Sequence, residues 1–360
     1  MTNFFQRLQL FIGKPKVGAF YIVLFLTMRS FAVSVMIVCV VGMCAFTATS
    51  GNYIPDGWPR PVYDFKKHPL QENKILLGRK LFYETLLSRD NTISCNSCHT
   101  QYNAFTHADH SLSHGIGGQI GTRNSPALMN LAWSGSLMWD GAIQHIDKQA
   151  KTPINNPIEM DENMDTVVAR LNSRVLYRSM FYKAYGDSLA SESRVLEALS
   201  QFMLTMVSAN AKYDRVIHGN DTFTQREANG YALFKQHCNS CHTEPLFTNG
   251  KFENNGLIPD AALNDCGRAK ISGKVSDSFK FKVPTLRNVE VTYPYMHDGR
   301  FRNLQMVLFH YSEQVHNSNT LSSKLPGKLS LSESQKADVI LFLKTLTDEQ
   351  FLKDKRFVDN

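Results

Sequence analysis

Nothing in this chain of 360 residues alternates apolar and polar positions at period two for long, so a sheet-centred architecture is excluded. Runs of basic residues interleaved with aromatics are also missing, which removes nucleic acid as a partner. Acidic residues are absent from residues 1–50, which carry Arg7, Lys14, Lys16 and Arg29. The formal charge of +7 therefore belongs largely to that leader, and the remainder has 35 basic against 32 acidic residues. Tryptophan is scarce, with Trp58, Trp133 and Trp139 only. Cysteine is not scarce, but its placement rules out a disulfide framework: Cys39 and Cys44 lie in the leader, and Cys266 stands alone as a small thiol.

The other four cysteines form two identical pentapeptides, Cys95-Asn96-Ser97-Cys98-His99 and Cys238-Asn239-Ser240-Cys241-His242. Cys-x-x-Cys-His is the attachment signature of c-type haem, in which two thiols form thioethers and the next His ligates iron. A redox dithiol or half a zinc site would also fit one copy. Two identical copies, each after a helix-like segment, point to two covalent haems.

The leader supports that chemistry. Phe31–Phe46 is apolar and uncharged, and small residues follow it at Ala48–Gly51. It reads as a signal peptide, with a retained membrane anchor as the alternative because Val17–Thr27 is apolar too. Either way residues 51–360 are exported, and c-type haem is attached outside the cytoplasm. The expected compartment is the periplasm, with membrane contact only if the leader is kept.

Helical periodicity predicts a mostly α fold of two cytochrome c-like domains, residues 51–220 and 221–360, each carrying one haem. Helices are expected over 71–84, 164–173, 193–216, 225–236, 304–311 and 332–346, with Thr224 and either Ser330 or Ser332 as N-caps. In the 193–216 helix Leu196, Leu199, Met203 and Val207 share a face. Gly78-Arg79-Lys80-Leu81-Phe82 and Gly230-Tyr231-Ala232-Leu233-Phe234 both read G-x-x-L-F and both lead to CNSCH, an internal repeat of about 150 residues in which the glycine would let two helices approach closely. Residues 244–284 read as loops.

Further segments carry a resemblance. These are His114-Gly115-Ile116-Gly117-Gly118, Gly121–Pro126, Trp139-Asp140-Gly141, Asn156-Pro157-Ile158-Glu159-Met160, Val283–Val289 and Pro294–Arg300. In this order, over about residues 70–345, the chain resembles the bacterial dihaem cytochrome c peroxidases, including their MauG branch. The resemblance implies that hydrogen peroxide is reduced at the Cys95–His99 haem, with Glu159 and Gln149 moving the proton as the O–O bond breaks. It implies that Trp139 lies between the haems, and that electrons arrive through the Cys238–His242 haem from a small cytochrome c or cupredoxin. It also implies one calcium ion, held by the Asn124 side chain and the carbonyls of Thr292 and Pro294.

Two positions pull apart within that family. Tyr311, fourteen residues after His297, falls where the second haem's distal ligand is expected, and Tyr is the MauG choice; His310, Met296 and Met306 are rival donors. His114, with His107 and His110 nearby, stands where reductively activated peroxidases carry a His that caps the resting peroxidatic iron. The alternative function is MauG-like: oxidation of aromatic side chains of a partner protein through a high-valent dihaem state. No tryptophan lies near Cys238, so Tyr213 or Tyr231 would have to stand in for the surface tryptophan of MauG. A plain dihaem electron carrier is the third class, and it leaves Glu159 and Gln149 without a task.

Overall fold

A computed structural model describes residues 53–325 and 327–359, so the leader at 1–50 lies outside the described residues. In chain order the helices are α1 Glu72–Phe82, α2 Lys151–Asn155, α3 Met164–Asn172, α4 Val175–Tyr185, α5 Glu192–Leu204, α6 Lys212–Ile217, α7 Gln225–His237, α8 Ala269–Ser272, α9 Leu304–Phe309, α10 Glu333–Lys344 and α11 Glu349–Leu352. Strands β1 Phe252–Glu253 and β2 Phe281–Lys282 form one antiparallel pair, with Phe252 opposite Lys282. The fold is mostly helical, and long irregular segments join the helices. No helix among the described residues is long and apolar enough to cross a membrane.

Two helix pairs repeat one construction. Gly78 of α1 faces the backbone of α5, where an added Cβ would sit 1.8 Å from the Ala198 carbonyl oxygen and 3.0 Å from Phe202 Cβ. Gly230 of α7 faces α10 in the same way, with 1.9 Å to the Asp338 oxygen and 3.0 Å to Phe342 Cβ. No side chain fits either crossing, so glycine sets the helix spacing at both. Capping boxes start two of these helices: Thr224 with Glu227 on α7, and Ser332 with Gln335 on α10. Each satisfies two backbone donors that a helix start leaves unpaired.

The repeat continues in the turns. Met138-Trp139-Asp140-Gly141 and Met296-His297-Asp298-Gly299 share a left-handed methionine (φ 67° and 77°) and a left-handed glycine (φ 71° and 66°). Asn130 and Asn288 adopt left-handed φ in corresponding places, at 58° and 56°. His297 is thus the counterpart of Trp139.

The buried apolar residues form two clusters. One runs from Tyr63 to Met206 and centres on Phe82, Phe105, Phe181 and Phe202. Phe351 and Phe357, from the C-terminal end, complete it. The other joins Tyr213, Phe234, Phe247, Leu304, Leu308 and Phe342.

The single helix expected over 193–216 is two, α5 and α6, separated by 205–211. Asp348 causes the break. One carboxylate oxygen accepts from Ser208 Oγ (3.1 Å), Ala209 N (3.0 Å) and Asn210 N (2.9 Å), which hold the chain out of helical conformation. Val207 accordingly lies outside α5. The helix expected to end at Tyr311 closes α-helically at Phe309 and continues as one wider π-type turn over His310–Gln314. Helix α4 carries no clear periodic signal in the sequence, because Val175, Leu176 and Tyr182 are exposed on it and blur its apolar stripe.

Candidate functional site

The second pentapeptide follows α7 directly, and Cys238 is the C-cap of that helix. His242 Nδ1 donates to the Phe247 carbonyl at 3.1 Å. A carbonyl only accepts, so Nδ1 carries the proton and Nε2 keeps the lone pair that a metal needs. Burial holds the ring's pKa down to about 4, with the carbonyls of Phe247 and Pro284 acting in the opposite direction. The first copy is built alike. His99 Nδ1 donates to the Phe105 carbonyl at 2.8 Å, and burial again holds the pKa down to about 4. Both imidazoles are therefore neutral at physiological pH, with Nε2 available.

Cys238, Cys241 and His242 line a cavity of about 580 Å³, and Tyr311 lines it too. That set tests the fit of a c-type haem: two thiols for thioethers, an imidazole nitrogen, and a phenol from the turn after α9, around one apolar space. Burial pushes the Tyr311 phenol up to about 12. Its oxygen faces Asn255, whose Nδ2 lies 3.4 Å away and also 3.4 Å from Met296 Sδ. The rival donors separate here. Met296 lines the cavity. His310 donates through Nε2 to the Asn255 carbonyl at 3.1 Å, and Met306 is exposed. The π-type turn at His310–Gln314 sets the angle at which Tyr311 leaves the backbone, and such turns gather at functional sites.

Around the first copy the structure brings together Cys98, His114 and Glu159. The Cys98 thiol donates to the His114 carbonyl at 3.4 Å. Gly115 lies on the Ile158–Glu159 backbone, where a Cβ would meet the Ile158 oxygen at 2.1 Å, and Ile116 N donates to the Glu159 carbonyl at 2.7 Å. Glycine after His114 is therefore what lets this loop reach the Glu159 turn. The Glu159 carboxyl accepts from Asn156 Nδ2 at 2.8 Å, but burial outweighs that bond and raises its pKa. The His114 ring lies tilted against that of His110, with centroids 4.1 Å apart, and His110 Nδ1 lies 3.4 Å from His107 Nε2. Gln149 is half-buried in the turn before α2 and ten residues from Glu159.

Trp139 lines the same cavity as His242 and Tyr311. Its Nε1 donates to the Asn124 carbonyl (2.8 Å), and its own carbonyl accepts from Lys282 N (2.7 Å). Asn124 N in turn donates to the His297 carbonyl at 2.7 Å. Asn124, Thr292 and Pro294 also line the cavity. The Asn124 amide nitrogen is spent on the Ser111 carbonyl (3.0 Å), which leaves its oxygen as the free group. Arg123 clamps this junction by pairing with Asp140 (2.6 Å) and Asp265 (2.6 Å).

Three residues here escaped the sequence reading. Asn255 sits in an Asn-Asn-Gly loop with no motif, and Asp265 and Lys282 carry no spacing signal. For His297 a signal existed in the repeated Met-x-Asp-Gly turn.

Comparison with known proteins agrees with this construction. A family model described as di-haem cytochrome c peroxidase matches residues 72–222. The methylamine utilization protein MauG of Methylorubrum extorquens is 35% identical over 303 residues, covering 82% of this chain and 83% of that protein. Cytochrome c551 peroxidase of Nitrosomonas europaea is 32% identical, covering 76% and 80%. The crystal structure of a MauG-like protein associated with microbial copper homeostasis superposes with a TM-score of 0.76 at 31% identity, over 85% of this chain and 98% of that one. The chain belongs to the di-haem cytochrome c peroxidase family and is a MauG-like peroxidase, an oxidoreductase.

Proposed function

We propose that this protein is a periplasmic peroxidase with one c-type haem on each CNSCH segment, reducing hydrogen peroxide at the Cys95–His99 site. The haems, when bound, supply one iron that cleaves peroxide and one that stores and passes electrons. The observation that carries the reading is the grouping of Glu159 with Cys98 and His114. Glu159 is half-buried, held by Asn156, and raised in pKa, so it can take a proton from one peroxide oxygen and return it to the other. Gln149 orients the same peroxide. His99 and His242 would hold the two irons through Nε2, and Tyr311 would be a further ligand to the Cys238–His242 haem. Trp139 shortens the electron path between them. Electrons enter at the second site from a small cytochrome c or cupredoxin. A calcium ion at Asn124 Oδ1 and the Thr292 and Pro294 carbonyls would hold the junction, since oxygen donors suit a hard cation. His114 would be the residue to hold the Cys95–His99 haem iron in the resting state.

Steady-state assay with peroxide and a reduced cytochrome tests this reading, and turnover no faster than that of free haem would count against it. Low-temperature EPR of the oxidised protein tests the ligation. Two low-spin signals support His114 as a cap, and a high-spin signal beside a low-spin one supports an open first site.

One observation favours a second reading. Tyr311 lines the cavity with His242, as Met296 does, whereas Met306 and His310 do not. An anionic oxygen ligand favours oxidised iron, as MauG-like oxidation of a partner protein's aromatic side chains requires. Peroxide added to the diferric protein separates the two: a rapid spectral change without prior reduction supports the second reading, and no change supports the capped peroxidase.

A further inference from the structure

Lys282 carries a charge that no carboxylate among the described residues balances. It belongs to β2, and its amide donates to the Trp139 carbonyl, which places it where the Trp139 turn meets the second haem segment. Lys282 lines the cavity with Cys238, Cys241, His242 and Tyr311. Protein atoms enclose it on nearly all sides, although its accessible area is that of a half-buried residue because it faces the cavity. The ammonium donates to one group, the Ser136 carbonyl, at 2.9 Å. Among the described residues no carboxylate lies within ion-pair distance of it. The contrast is Lys324, which lines the same cavity and is held by Glu253 at 2.6 Å. Desolvation acts on Lys282 without an opposing charge and pulls its pKa down to about 8.

An enclosed ammonium costs several kcal/mol unless an anion or a full set of acceptors compensates it. One carbonyl does not suffice, so the remaining compensation has to come from whatever fills the cavity. Haem brings two carboxylates.

We propose that Lys282 is the anchor for a propionate of the haem carried by Cys238 and Cys241, fixing that edge of the haem against the Trp139 turn. The proposal rests on the reading that this motif binds haem. Lys282 acts as a positioning residue through charge. A fixed cation beside a haem favours its reduced form, so Lys282 raises the reduction potential of the second haem relative to the first. The pair's electron transfer direction is thereby biased from within the fold.

The test is spectroelectrochemical titration of the low-spin haem in the holoprotein, with covalent haem counted by pyridine haemochrome. Lys282→Gln is expected to keep two haems and to lower the reduction equilibrium constant about tenfold, which is about 59 mV for one electron. Lys282→Arg keeps the charge and is expected to stay within about a factor of two of the wild type. An unchanged midpoint in Lys282→Gln with both haems attached overturns the proposal while leaving haem binding intact. Equal falls in the Gln and Arg variants overturn it too, because shape rather than charge would then matter. If the wild type has no haem on Cys238 and Cys241, the underlying reading fails instead, and the proposal with it. Should Lys282→Gln not fold, the propionate bending band in resonance Raman decides: it moves in Lys282→Arg if the contact exists, and an unmoved band overturns it.

Discussion

Gly230→Ala tests whether the glycine crossing sets the geometry of the second site. The added Cβ would lie 1.9 Å from the Asp338 carbonyl oxygen, against a normal contact of about 3.4 Å, so α7 and α10 must part by about 1.5 Å. Both partners are main chain inside helices and cannot rotate away. The crossing is lined by Phe234, Tyr231 and Phe342, with the Phe234–Phe342 and Tyr231–Phe342 ring centroids 5.0 Å apart. A radial gap of about 1 Å already forfeits up to half of a dispersion contact. Overpacking of this kind costs about 3 kcal/mol at the upper end of its usual range. The better helix propensity of Ala returns about 1 kcal/mol. The net expectation is a loss of about 2 kcal/mol in urea denaturation of the holoprotein followed by far-UV CD. The same variant should alter the low-spin EPR signal, because α7 runs straight into Cys238. Equal or greater stability than the wild type would refute the reasoning, since propensity alone would then govern the site. Gly78→Ala, with 1.8 Å to the Ala198 oxygen, should behave alike at the first site.

The other expectations concern proton transfer, ligation and the loop at 205–211. Glu159→Gln should slow peroxide turnover by roughly 10²–10⁴-fold with haem content unchanged; an unaffected rate removes Glu159 from the reaction. Because burial raises the Glu159 pKa, its ionised fraction, and with it the peroxide step, should rise with pH through a midpoint above the ordinary carboxyl value of about 4.3. A rate already flat at pH 4 would contradict that. Tyr311→Phe should change the g-values of the low-spin haem, and Asn255→Ala should shift them less, by freeing the phenol from its one amide neighbour. Asp348→Ala leaves Ala209 N, Asn210 N and Ser208 Oγ without their acceptor and should cost about 3 kcal/mol on thermal or urea unfolding, whereas a loss below about 1 kcal/mol would mean that water replaces it.

Local signals were legible in the sequence and remote causes were not. Thr224 marks its helix start in the sequence, and of the two candidates Ser330 and Ser332 the structure takes Ser332, whose capping box with Gln335 lies within four residues. The two G-x-x-L-F segments announce close crossings, though not that Ala198 and Asp338 supply the opposing carbonyls. The two pentapeptides mark their own histidines, and the supporting carbonyls of Phe105 and Phe247 follow within six residues. The break after Leu204 was invisible because Asp348, which enforces it, is about 140 residues away. Asn255 and Lys282 were invisible for the same reason, since each matters only through a partner brought in by folding. The turn at Tyr311 defeated the periodicity because one extra residue per turn leaves no mark on an apolar pattern.

Phe351 and Phe357 sit against Phe105, with ring centroids 5.8 and 5.7 Å away, so the last residues of the chain are keystones of its opening half. A chain made from its N-terminus presents Cys95 and Cys98 long before those two rings exist. The first apolar cluster therefore cannot close until Phe351 and Phe357 have been added to it. Removing residues 351–360 should injure the Cys95–His99 segment first, about 250 positions away along the chain.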